Sequence, residues 1–159
     1  TALQWTKKEI IEHQLVCNGI REVYKKHKLK LIKCEETSEL KAAGVKHLIT
    51  NFTFKQVTKR ISLKKIIQDL HPTPAVGGYP KKLATELIIK TEKHDREYYT
   101  GYLGILERNK AQLFVNLRCM KVNNNRAFIY VGGGITKESI MENEWHETEL
   151  KSKTLLNLL

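Results

Sequence analysis

The sequence predicts an α+β fold in which antiparallel sheets are flanked by helices. Three observations carry that class. Residues 7–26 repeat apolar side chains close to helical period. Three β-rich runs between Tyr98 and Gly133 are separated by turn signals. Those strands follow one another directly, whereas a parallel sheet would alternate them with helices.

Bulk composition narrows the classes. At 159 residues the chain is about one domain long and can bury a core. Its hydrophobic content of 41% and charged content of 28% are ordinary for a soluble globular domain. No apolar run approaches the roughly 20 residues that cross a bilayer. The opening "TALQWTKKEI" reads as the approach to a helix and not as a signal peptide. Cys17, Cys34 and Cys119 are far apart with no CxxC pair, which argues against structural zinc and against a disulfide framework. A cytoplasmic location without a membrane partner is the expectation.

The net charge of +11 is the unusual figure. Such a balance ordinarily suggests a nucleic-acid binder. Here the lysines are scattered, as in "YKKHKLKLIK" and "FKQVTKR", without the interleaved aromatics of a base-stacking platform. A small anionic substrate, or an acidic portion of the same protein outside this stretch, explains the charge equally well. No nucleic-acid partner is expected.

In chain order, the first helix spans about Lys7 to Lys26, with Ile11, Leu15, Ile20, Val23 and Tyr24 on its apolar stripe. "LKLIKCE" alternates like a strand. "ETSELKAAG" suggests a short helix closed by Gly44, and "VKHLITNFTFKQV" a second strand. "SLKKIIQDL" is a helix capped by Ser62 that stops at "HPTPAVGGYP", read as an extended loop. Pro80 opens the helix "PKKLATELIIKTEKH". The runs "YYTGYLGILE", "AQLFVNLRCMKV" and "RAFIYVGG" are strands, joined through "ERNKAQ" and through the asparagines 123–125, which tolerate a left-handed backbone. The last helix begins near Lys137. No repeat or linker marks an internal domain boundary, so residues 1–159 are read as one piece.

Four features carry chemistry. Glu144, Glu147 and Lys151 share one helix face, and Glu9 and Glu12 sit three apart on the first helix. Each pair reads either as a solvated face or as carboxylates for a hard cation such as Mg2+, which takes one or two carboxylates and keeps waters. Gly132, Gly133 and Gly134 in "YVGGGIT" either form a tight strand-to-helix turn or offer amides to an anion. The loop "HPTPAVGGYPK" lets backbone approach a ligand, with His71 read as a structural hydrogen bonder. Arg118 lies in the apolar run "LFVNLRCM", where an inward arginine needs a carboxylate partner. No HExxH, GxSxG or Cys–His motif is present.

In this order, "EHQLV", "HPTPAVGGYPK", "DREYYTG", "FVNLRCMKV", "GGGI" and "EWHETELK" resemble the chorismate-binding enzymes, and among them the isochorismate synthases, from about Lys7 to Leu159. The resemblance implies a two-sheet fold, chorismate and isochorismate as ligands, and magnesium held by Glu12 and Glu147 with support from Glu9 and Glu144. It further implies that Ala75, Val76, Tyr99, Arg118, Gly132, Gly133, Gly134 and Lys151 contact the substrate. "HPTPAVGG" favours the isochorismate branch over the salicylate and anthranilate synthases, which typically carry threonine-containing versions of this loop where Ala75 and Val76 stand here. Those two activities, and a non-catalytic anion-binding module, remain the alternatives.

Two departures stand out. "VGGGI" replaces the "AGAGI" frequent in the family. Family members are more than twice this length, and the catalytic lysine, the catalytic glutamate and a Gly-Thr-x-x-Arg-Gly motif belong upstream of the matched region. The expectation is a carboxy-terminal portion holding the metal and carboxylate sites without the acid–base pair, and inactive alone. It should expose half of a shared core and self-associate.

Overall fold

The computed structural model describes residues 5–42, 45–55, 62–107 and 111–159. Its elements are α1 (Lys7–Lys26), β1 (Lys30–Cys34), β2 (Ser38–Ala42), β3 (Val45–Ile49), β4 (Phe52–Lys55), α2 (Leu63–Leu70), α3 (Pro74–Gly77), α4 (Lys81–Thr91), β5 (Tyr102–Leu106), β6 (Ala111–Val115), β7 (Cys119–Asn123), β8 (Arg126–Tyr130) and α5 (Met141–Leu156). All strand pairing among them is antiparallel, in four two-stranded ladders: β1 with β4, β2 with β3, β5 with β6 and β7 with β8. The α+β class is borne out, with small sheets. No helix among the described residues is long and apolar enough to cross a membrane. The chain divides into two compact units, Thr1–Glu86 and Leu87–Leu159, so that the division falls inside α4.

In the first unit, α1 starts where a reciprocal cap forms. The Glu9 amide donates to Thr6 Oγ1 at 3.2 Å, and the Thr6 amide donates to Glu9 Oε2 at 2.8 Å. Lys25 and Lys26 lie in the last turn, where cations complement the helix dipole. The helix packs on β4 through Tyr24 and Phe54, whose ring centroids are 5.0 Å apart. Phe52 and Phe54, two apart on one strand face, are stacked. Gly19 permits a close approach, since a Cβ there would stand 2.7 Å from Pro74 Cγ. At the far end of α1, buried His27 is 2.6 Å from Asp69 on α2, and Lys26 is 2.9 Å from the same carboxylate. Lys81 Nζ donates to the carbonyls of His71 and Asp69 at 2.7 and 3.1 Å, closing the loop between α2 and α4.

Several elements differ from the sequence expectations. Ser38–Ala42 is a strand hairpinned to β3; its residues pair in unbroken register from Ser38↔Ile49 to Ala42↔Val45. Cross-strand pairing overrides the modest helix preference of "SELKA". Gly44, expected to close a helix, lies outside the described residues, as does most of the "ERNK" turn. "VKHLITNFTF" is two strands, broken at Thr50 and Asn51. "AQLFVNLRCMKV" is also two strands, because residues 116–118 leave the extended conformation and Arg118 takes φ 52°. The "HPTPAVGG" loop contains the short helix α3, ended at Gly78 with φ 73°. Ser62 stands at the α2 cap position without a side-chain capping bond. The last helix begins at Met141, not near Lys137. The asparagine turn is as expected: Asn123 pairs with Arg126 and Asn124 has φ 51°.

Apolar burial is thin. Cys17 is the one buried apolar residue among those described. The β5–β6 ladder leaves Leu103, Ile105, Leu106 and Phe114 all more than half exposed, on both of its faces. An open apolar cavity of about 310 Å³, lined by Ile20, Tyr24, Phe54 and Ile66 among others, lies inside the first unit.

Two stability outcomes follow from the first unit. Gly19→Ala gains about 1 kcal/mol in helix preference and loses about 2 kcal/mol by overpacking the proline ring. Urea unfolding should therefore show a variant less stable by about 1 kcal/mol. Hydrogen bonds from Lys26 and then His27 hold the Asp69 carboxyl below its ordinary value. A carboxyl whose folded pKa is depressed adds stability above its unfolded pKa and loses it as pH falls through the folded one. Stability of the parent should thus drop below about pH 4, and Asp69→Asn should flatten that acid limb in thermal melts.

Candidate functional site

In the second unit, several residues singled out in the sequence come together around the glycine turn that follows β8. Lys151 Nζ donates to the Gly132 carbonyl at 2.9 Å and lies 2.5 Å from Glu147 Oε1, one helical turn away on α5. Glu144, one turn further toward the amino terminus of α5, is 8% exposed. Its Oε2 is buried and would be 3.3 Å from a Cβ at Gly133. Tyr99 Oη would be 2.9 Å from a Cβ at Gly132. The two neighbouring glycines each let an oxygen of a side chain lie against the turn, which a Cβ would displace at Gly132 and crowd at Gly133. The spacings of three and four on α5 put all three of its polar groups on the face that meets the turn.

Tyr99 is presented by the segment 92–101. Arg96 grips the Glu92 carboxylate through two nitrogens, donates to Thr100 Oγ1 at 3.2 Å, and lies over the Tyr99 ring at 6.0 Å. The Tyr99 ring stacks on Tyr130 of β8 with centroids 5.5 Å apart. Burial raises the Tyr99 phenol above its ordinary value, with the Arg96 charge opposing. The phenol is a hydrogen-bond donor throughout the neutral range.

Arg118 is in the same unit but not on a strand. It occupies the connection between β6 and β7 with a left-handed backbone, half buried, and makes no hydrogen bond or ion pair with a described residue. The expectation of an inward arginine on a strand is corrected: the break at Asn116 to Arg118 turns it out of the ladder. A non-glycine residue held in that conformation with a free guanidinium is suited to meet an anion from outside the chain. Gly134 is half buried and continues the turn.

The first unit holds the remaining residues. Glu12 pairs with Lys8, its buried Oε1 lying 3.1 Å from the ammonium. Glu9 accepts from the Thr6 amide and the Thr6 hydroxyl, so its carboxylate serves the helix cap. On α3, Ala75 is exposed and Val76 half buried, with the Val76 amide donating to the Thr73 carbonyl at 3.0 Å. Burial, and then the charge of Lys81, depress the His71 imidazole, leaving it neutral near pH 7. Among the described residues no three His, Cys, Asp or Glu side chains converge as a ready cluster. The donor chemistry nevertheless suits a hard cation. Carboxylates are the oxygen donors that Mg2+ takes, and a cation at Glu12 would compete with the Lys8 ammonium for the same oxygen.

Sequence reasoning missed three polar contacts. His13 Nε2 is 2.8 Å from Thr50 Oγ1, which is 2.8 Å from Thr37 Oγ1; burial lowers the His13 pKa. The His27–Asp69 pair spans 42 positions. Asn116 bonds to the segment that carries Tyr99. All three join residues distant in the chain, and no spacing rule exposes them. The asparagine in the middle of "FVNLR", a poor strand residue, was the only local signal.

The comparisons with known proteins agree on one family. The family profile described as "Chorismate binding enzyme" matches residues 1–159. The vibriobactin-specific isochorismate synthase of Vibrio cholerae is 31% identical over 152 residues, which is 95% of this chain and 38% of that protein. Isochorismate synthase EntC of Escherichia coli K12 is 31% identical over 154 residues, 96% of this chain and 39% of that protein. A Bacillus anthracis crystal structure assigned as a 2,3-dihydroxybenzoate-specific isochorismate synthase, DhbC, superimposes with a TM-score of 0.83 at 33% identity. It covers 96% of this chain and 41% of its own. The chain spans about two fifths of the length of these relatives. Matched from residue 1 to residue 159, it belongs to the chorismate-binding enzyme family.

Proposed function

We propose that this chain is the substrate- and metal-binding portion of an isochorismate synthase, which in complete form isomerises chorismate to isochorismate. The observation that carries the reading is the convergence of Tyr99, Gly132, Gly133, Glu144, Glu147 and Lys151 within one unit, on the residues that the family resemblance names. The relatives named above as isochorismate synthases support the reaction class.

Chorismate is a dicarboxylate, and the chain offers matching charge. Lys151 is held by Glu147 and the Gly132 carbonyl, so its ammonium is placed before a ligand arrives. Arg118 supplies a guanidinium not bound to any described carboxylate, and Tyr99 a donor hydroxyl. The family resemblance counts Ala75 and Val76, on α3 of the first unit, among the substrate contacts. Glu12 and Glu147 would hold magnesium, which when bound supplies charge complementary to a substrate carboxylate and fixes the ring. Glu144, buried against the glycine turn, would support Glu147 from the same helix face. Glu9 would support Glu12 by fixing the first turn of α1 through the cap it forms with Thr6. Isomerisation exchanges a hydroxyl at C4 for water at C2, and so needs a general base and a general acid. In this reading both come from the part of the relatives that this chain does not span.

The apolar faces left open on the β5–β6 hairpin and around the cavity of the first unit have a consequence for the chain alone. We propose that they pair with a second copy. Sedimentation velocity should show association that rises with concentration; a monomer throughout would refute it.

Incubated with chorismate and magnesium, the chain alone should leave chorismate unchanged by chromatography and mass. Supplied with an amino-terminal portion from a full-length relative, it should yield isochorismate. Isochorismate from the chain alone would place the acid and base among its own residues. In the complemented enzyme, Glu147→Gln or Glu12→Gln should lower turnover more than about a hundredfold, since a bound cation contributes several kcal/mol of transition-state stabilisation. A variant with full turnover would remove that glutamate from the metal site.

A further inference from the structure

The segment that presents Tyr99 is held in a conformation it would not adopt by itself. Glu97 has φ 48° and Thr100 has φ 62°. A left-handed backbone is rare for any side-chain-bearing residue and rarer still for a β-branched one, so it persists only where neighbours impose it. Asp95 Oδ1 accepts from the Glu97 amide at 2.8 Å, Lys121 pairs with the Glu97 carboxylate and Arg96 donates to Thr100 Oγ1, and three further bonds run through Asn116. The Thr100 amide donates to the Asn116 carbonyl at 2.9 Å, the Asn116 amide donates to the Gly101 carbonyl at 2.7 Å, and the Asn116 side chain donates through Nδ2 to the Tyr98 carbonyl at 2.8 Å.

The first two bonds extend the β5–β6 ladder and any residue could make them. The third needs a short side chain with an N–H donor. The same amide lies against the Cys119 thiol, at the start of β7. One side chain thus spans the Tyr99 segment on one side and, on the other, the turn that carries Arg118. Tyr98, whose carbonyl it holds, is itself 85% exposed, so side-chain packing at position 98 contributes little to fixing the segment.

We propose that Asn116 is a positioning residue for the substrate site, holding the segment 96–101 so that Tyr99 faces the glycine turn at Gly132. The assignment rests on the reading of Tyr99 as a substrate-binding residue. Asn116 itself touches neither the glycine turn nor α5 among the contacts described, and acts through the peptide that precedes Tyr99.

The test uses the 159-residue chain and two variants, Asn116→Ala and the isosteric Asn116→Asp, which lacks the donor and turns an oxygen toward the Tyr98 carbonyl. Three readouts are compared at matched melting temperature. These are amide exchange at Tyr99, Thr100 and Gly101, the titration of the Tyr99 ring followed by NMR, and chorismate affinity in the presence of magnesium. The expected result is exchange roughly tenfold faster in this segment, the loss of one hydrogen bond, with the β7–β8 ladder unchanged. The Tyr99 phenol should titrate closer to its ordinary value, and chorismate should bind several-fold more weakly. Unchanged exchange and an unchanged phenol in both variants would overturn the proposal. If the parent chain does not bind chorismate, the functional reading fails, and the exchange and phenol readouts still decide whether Asn116 positions Tyr99.

Discussion

The ammonium of Lys151, shared between the Glu147 carboxylate and the Gly132 carbonyl, is the interaction on which the second unit's site depends. α5 has little apolar anchorage: Trp145, Leu150 and Leu156 are all more than half exposed, and its one buried residue is Glu144. A helix usually docks through an apolar stripe. Here the contacts that join α5 to β8 and the turn after it are polar and directional, and they occur where the chain can supply carbonyl oxygens and space. Gly132 and Gly133 provide both, because a Cβ at either would collide with the Tyr99 hydroxyl or crowd the Glu144 carboxylate. Polar docking places the helix by hydrogen-bond geometry, and in the proposed reading the groups that hold it also face the ligand.

The same distribution explains why the fold is built from small local units. Three of the four ladders are hairpins between sequential strands, and their pairing needs no distant partner. Among the described residues no further layer covers the β5–β6 ladder. Leu103, Ile105 and Phe114 lie exposed on one side of a two-stranded ribbon and Leu106 on the other, a form with little stability by itself. The first unit compensates with directional contacts of its own. His27, Asp69 and Lys26 join the ends of α1 and α2, while Lys81 closes the loop through two carbonyls and loses some basicity to burial.

How much of this was legible in the sequence depends on the range of the interaction. The limits of α1 could be read because its apolar side chains recur at helical period between Lys7 and Lys26. The asparagine turn was legible because two adjacent residues suffice to close a hairpin. "SELKA" was read as helix because its side chains favour one weakly, and only the facing strand Val45–Ile49 decides otherwise. The break at Asn116 escaped for a related reason: apolar residues on both sides match a single long strand, and the hydrogen bond at the break is donated by Asn116 Nδ2 to the distant Tyr98 carbonyl. For the site, residue types and order indicated the glutamates, the glycine turn and Lys151. They did not indicate that Glu9 would be occupied by the Thr6 cap, a role that the same three-residue spacing also serves.

The excess of lysine acquires a physical sense from these contacts. A cation set against a carboxylate alone is largely neutralised, and at the surface such pairs are worth little. Lys81 instead donates to two backbone carbonyls, which orient an ammonium while leaving its charge in place, and Lys151 adds such a carbonyl bond to its pair with Glu147. Arg118 goes further, since no described carboxylate meets it at all. Positive charge that is positioned but not cancelled raises the local potential and selects anions that can bridge two or more such groups. In the proposed reading the anion that meets Arg118 and Lys151 is a dicarboxylate.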